Sequence, residues 1–227
     1  MASSAPTQAP STNQPSPEEL EGLLDCFRFG DVEQGDFDDI KAFQQVYGDR
    51  WFAEHRDENG NTALHMAGGN GHLNIVAWLL PRLPPSALTA QNASLSTPLH
   101  WIALNYHLSI LELLCPLLPL SAFGIKNQHG KTAVQEAEEA CEALIVGEED
   151  QETEKGKERV RREKVVGYLL GCMGLGVKGP SGGDDSKVED AEGPVRAEEG
   201  GDDATLKRLT EQAEKIKLEQ EAKKADA

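Results

Sequence analysis

Apolar residues recur at helical intervals along most of this chain, and breakers divide them into pairs of short segments. Leu20, Leu23, Leu24 and Phe27 follow Pro15-Ser16-Pro17, where Ser16 and Glu19 make a capping box. Gly30 ends the helix they predict. An acidic loop, Asp31 to Gly35, leads to a second helix over 36–47, with Phe37, Ile40 and Phe43 inward and Val46 or Tyr47 completing the face. Leu64 and Ala67, then Ile75, Val76, Leu79 and Leu80 beyond Gly71, predict a second pair, ended by Pro81, Pro84 and Pro85. Leu99 and Ala103, then Ile110, Leu111, Leu114 and Cys115, predict a third. A fourth pair joins a helix over Thr132 to Ile145 to one carrying Val160, Lys164, Val165, Tyr168 and Leu169, across an acidic insertion from Gly147 to Gly156. Arg159, Arg161, Arg162 and Lys164 are expected on the outer face of that last helix, as a terminal unit requires.

The pairs read as copies of one unit. N-T-A-L-H-M-A at Asn61, S-T-P-L-H-W-I-A at Ser96 and K-T-A-V-Q-E-A at Lys131 place Thr62, Thr97 and Thr132 at equal intervals of 35. A T-x-L-H core repeating this way is the mark of ankyrin repeats, whose usual period is about 33. The threonines cap a first helix, and the histidines one turn on can bond loop backbone and tie neighbouring units. No unit can bury its apolar face alone, so the units must stack. The expected fold is all-α, an ankyrin-repeat solenoid of about four repeats: Pro17 to Arg56, Asp57 to Gln91, Asn92 to Lys126 and Asn127 to Leu170. The first lacks the T-x-L-H box. The third has Leu95 and Tyr106 where glycines are usual, which leaves its turn geometry open. Around the solenoid (17–170), residues 1–16 read as a disordered lead and 171–203 as a disordered acidic and Gly-rich linker. Residues 204–227 read as a charged amphipathic helix, with Leu206, Leu209, Ala213, Ile216 and Gln220 along one face.

Composition changes the picture in two ways. Apolar content of 38% and aromatic content of 5% are low for a chain folded throughout, which supports the disordered tails. A formal net charge of −17 argues against direct nucleic-acid or membrane binding and favours a basic protein partner. The apolar run from Leu108 to Leu120 is too short to span a bilayer. Cys26, Cys115, Cys141 and Cys172 are scattered, without a C-x-x-C pair, and fit free buried thiols in a reducing compartment, cytoplasmic and nuclear. A monomer is expected.

Candidate chemistry is sparse. His65 and His100 are repeat-equivalent, with no cysteine or carboxylate at ligand spacing, so a structural role is expected and no metal or cofactor. Nucleophile, phosphate-loop and metalloprotease motifs are missing, so no catalytic residue is expected. Binding candidates come from the concave face that first helices and turn tips make in such stacks. Met66, Trp101 and Glu136 are equivalent, as are Asn70 and Asn105, with Tyr106 beside the latter. Trp101 either anchors a ligand or packs against the next turn. Asp31, Glu33 and Asp57 belong to the acidic candidates for a basic ligand. The acidic runs are otherwise a solubilising surface.

One resemblance goes further than the repeat. T-A-L-H-M-A with N-G-H at Asn70, L-H-W at Leu99, E-L-L-C at Glu112 and A-x-x-E-A-E at Ala133 form a series. With the acidic linker and charged last helix, the series resembles the small fungal ankyrin-repeat chaperones of small-subunit ribosomal protein three, the KH-domain protein of the 40S head. Gly68–Gly69, Tyr106 and the stretched last unit depart from that pattern. The resemblance implies an ATP-independent chaperone. It would hold the basic N-terminal segment of that ribosomal protein as a helix in the concave groove, keeping it soluble for 40S assembly. The alternative is a generic ankyrin adaptor or inhibitor of a signalling or transcription partner.

Overall fold

Reciprocal bonds start the first helix. In a computed structural model, the Glu19 N–H donates to the Ser16 hydroxyl (3.2 Å) and the Ser16 N–H to the Glu19 carboxylate (2.7 Å). Helix α1 (Pro17–Phe29) follows and ends at Gly30 in the left-handed region. The structure describes residues 14–30, 35–143 and 154–175. Asp31, Glu33, most of the acidic insertion, the lead before 14 and everything after 175, including the expected C-terminal helix, lie outside them.

Helix α2 (Asp36–Tyr47) carries Asp36, Asp38 and Asp39 in its first turn, where carboxylates complement the helix dipole. Its Val46 is 54% exposed, while Tyr47 turns back and donates its hydroxyl to Glu19 at 2.6 Å. A five-residue helix, α3 (Arg50–Glu54), was not evident from periodicity. It sets Phe52 edge-on to Phe27 and Trp78, both at 5.6 Å between centroids, and so seals the first unit. Two short-helix pairs follow: α4 (Ala63–Gly69) with α5 (Leu73–Leu79), and α6 (Pro98–Leu104) with α7 (Leu108–Leu114). Each pair ends in two 3-10 turns. The last pair is α8 (Ala133–Glu142) with α9 (Glu154–Cys172).

Helices α1, α4, α6 and α8 pack in sequence as one layer; α5, α7 and α9 form the second. Contacts within the first layer are the more extensive, so the stack curves with the first helices inside. Pro81 and Pro116 each open a 3-10 turn, where a missing N–H interrupts nothing. Among the described residues there is no strand, and no helix is long and apolar enough to cross a membrane.

One expectation about the helices needs correction, and it concerns α9. Helix α9 carries Val160, Lys164, Val165, Tyr168 and Leu169 as expected, with Val165 and Leu169 supplying its buried seam. Arg162 is not on the outer face: its guanidinium lies 4.4 Å from the Tyr106 ring centroid and donates to the Ala140 carbonyl at 2.8 Å. Helix α9 runs from Glu154 through Cys172. All four thiols are free, but only Cys115 is buried. A hydrogen bond from Cys115 to Cys172 holds the Cys172 thiol low and the Cys115 thiol high, across the junction of the third and fourth units.

Candidate functional site

The curved face is held by a hydrogen-bond pattern that repeats with the sequence. Asp57, Asn92 and Asn127 each turn a side-chain oxygen onto two following N–H groups, two and four residues on, at 2.7–3.2 Å. The tips so formed bond to one another, Ala93 to the Asn59 carbonyl and Gln128 to the Ser94 carbonyl. Arg56 and Gln91, at equivalent positions, each bridge their own turn and the next.

The two repeat histidines lock units together. His65 Nε2 lies 3.0 Å from the Ser96 carbonyl, which can only accept, so Nε2 carries the proton. Nδ1 is then the acceptor for the Thr62 N–H (3.2 Å) and hydroxyl (2.9 Å). His100 repeats the arrangement with Thr97 and the Lys131 carbonyl. Burial lowers the pKa of His65 to about 4 and also lowers that of His100. Both rings are neutral and both nitrogens of each are used within the fold. Gln135, the counterpart in the fourth unit, makes the same capping box with Thr132, and no further unit follows it among the described residues.

Seven of the nine predicted binding residues lie among the described residues, and they separate once these bonds are placed. Met66 is 3% exposed, because α4 lies wholly buried between α1 and α6, so it is a core residue and not an anchor. Tyr106 is also buried, under Arg162, with its hydroxyl 3.5 Å from the Ala137 carbonyl. Asp57 is a turn residue, its two oxygens held by Asn59 and Asn61. Asn105 is exposed yet tied to the Gly69 carbonyl at 2.7 Å, and Asn70 to the Met66 carbonyl at 2.8 Å. Glu136 is half-buried and accepts from Asn127 at 2.7 Å. Trp101 packs against the preceding unit, edge-on to His65 at 5.7 Å and over Gly69, but stays only half-buried.

The structure adds residues that periodicity did not single out. Leu104, 41% exposed, stands one turn beyond Trp101 on α6. Its i+3 relation to Trp101 was the available signal. On α8, Glu139 and Glu142 are exposed, with Glu139 paired to Lys131. At the other end, a hollow of about 410 Å³ lies between α1 and the first turn tip. Glu21, Asp25, Asp57 and Glu58 line it with Arg28 and Arg56. The curved face therefore has an uncharged centre, Asn70, Trp101, Leu104 and Asn105, between two acidic ends. Elsewhere, Cys26 comes within 4.8 Å of Asp36 and Asp39. Burial, then the carboxylates of Asp36, Asp39 and Asp25, push that thiol up to about 11, so it is neutral at neutral pH.

The described residues form an ankyrin-repeat solenoid: repeated capped helix pairs, hydrogen-bonded turn tips and an open curved face. Residues 53–100 match the family described as ankyrin repeats (many copies). An ankyrin repeat-containing protein of Schizosaccharomyces pombe is 50% identical over 36 residues, 16% of this chain. The match spans a quarter of that relative's length. Among solved structures, the fold matches a chain of the crystal structure of the yeast ribosomal protein Rps3 in complex with its chaperone Yar1. That match has a TM-score of 0.55 and 22% identity, over 73% of this chain and all of the other.

Proposed function

We propose that this protein is a dedicated, ATP-independent chaperone that binds a basic ribosomal protein of the small subunit, the KH-domain protein three of the 40S head. It works in the cytoplasm and nucleus, and hands its client over for 40S assembly. The observation that carries the reading is the charge layout of the curved face, acidic at both ends and uncharged in the middle. A basic amphipathic helix complements that layout. Its apolar face lies on Trp101 and Leu104, and its lysines and arginines meet Glu21 and Asp25 at one end and Glu139 at the other. The match to a structure of Rps3 with its chaperone supports the same client.

The test uses a double variant, Leu104→Asp with Glu139→Lys, both at exposed positions. It is expected to lose co-purification of the small-subunit protein while keeping the wild-type melting temperature. Undiminished co-purification removes the curved face from the account. Co-purification dominated by a kinase or transcription factor instead supports an ankyrin adaptor.

A further inference from the structure

Inside the stack, the edge of each unit is filled by the next: Ile102 sits against Gly68 and Trp101 against Gly69. Helices α8 and α9 are the last pair, and among the described residues nothing covers their outer edge. There an open groove of about 360 Å³ runs between them. Val166 and Leu170 of α9 and Cys141 of α8 give it an apolar floor; Glu138 and Glu142 give it acidic rims, with Glu163, paired to Arg159 at 2.7 Å, at the far end. At Gly167 the floor is open, with nothing within 4 Å of where a Cβ would stand. A terminal repeat in such a stack needs a cap, with an apolar side facing in and a polar side facing water.

We infer that residues 204–224 of this same chain dock in the α8–α9 groove and cap the solenoid. That segment carries Leu206, Leu209, Ala213 and Ile216 on one helical face. Lys207, Arg208, Lys215 and Lys217 flank the stripe and match the glutamate rims in sign. Reach is sufficient. The far end, Glu163, lies nine residues before Cys172, about 14 Å along a helix. As a coil, the 28 residues from 176 to 203 would span about 30 Å. Tethering makes the encounter intramolecular, so a thin stripe with modest intrinsic affinity suffices for docking.

Cys141 in the groove floor reports occupancy. Its alkylation by N-ethylmaleimide is followed by peptide mass spectrometry in the 227-residue chain and in a Leu206→Asp, Leu209→Asp, Ile216→Asp variant. Hydrogen exchange of the α9 amides is read in the same samples. Docking that prevails tenfold makes Cys141 react roughly tenfold faster in the variant. It also speeds exchange over the groove-lining turns of α9, and an excess of free peptide 204–224 reverses both effects. Protection in the unaltered chain stays constant across about a hundredfold range of protein concentration, as an intramolecular contact requires. Equal exchange in the two proteins overturns the inference. So does protection that grows with concentration, which assigns the groove to a second copy.

Discussion

Leu95 and Tyr106 hold the left-handed backbone, with φ of 57° and 58°, that Gly60, Gly130 and Gly71 take at equivalent places in other units. The repeat therefore keeps its turn geometry without its glycines, at a cost of about 1–2 kcal/mol per residue. What each side chain gives in return differs. Leu95 is about half exposed, so Leu95→Gly should stabilise the protein by roughly 0.5 kcal/mol, strain relief exceeding the added chain entropy. Tyr106 is buried and supports Arg162, so Tyr106→Gly should destabilise by about 3 kcal/mol, despite the same backbone relief. Urea unfolding of the two variants checks the opposite signs. His65 gives a pH signature. Its folded pKa, about 4, lies below the usual histidine value, so the unfolded chain binds more protons between about pH 6.5 and 4. Stability from this ring is complete above that window and falls with pH through it, by about 3 kcal/mol at most. His65→Gln, which places at 65 the residue type that Gln135 supplies in the last unit, should flatten that slope in unfolding curves taken across the window. An unchanged slope would show that the buried ring is not its source.

Helix α4 shows why one element can be placed correctly and its faces misjudged. The threonine caps, helix pairs and proline stops were legible because each rests on local chemistry that recurs every 35 residues. The burial of Met66 was not, because it depends on how closely α1 and α6 approach α4 from both sides. Gly68 and Gly69 permit that approach. A Cβ on Gly69 would stand 2.8 Å from the Trp101 ring, and one on Gly68 2.8 Å from the Ile102 side chain. Gly69→Ala should therefore destabilise by about 1 kcal/mol, overpacking outweighing the gain in helix propensity. It should also move Trp101, visible as a shift in its fluorescence. A gain in stability would mean that the α4–α6 contact has room to spare. Helix α3 escaped notice because R-W-F-A-E is too short to show a period. The inward turn of Arg162 escaped because the acidic insertion hid the phase of α9, and a cation over a buried tyrosine is a tertiary contact.

Across the whole molecule, charge and curvature point the same way. The net charge of −17 was available from composition, and so was its sign preference for a basic partner. Its distribution was not. Only the folded stack shows Trp101 and Leu104 between the acids of α1 and α8, with Asp57 withdrawn into its turn. The account stands or falls on whether this face holds a basic polypeptide by charge and apolar contact together. The direct measurement is a calorimetric titration of the purified KH-domain small-subunit protein into this chain, at salt from about 0.1 to about 0.5 M. We predict one-to-one binding that weakens by roughly tenfold or more over that range as the exposed ends are screened, and that persists through the uncharged centre. Absence of binding at low salt, or affinity indifferent to salt, would contradict it.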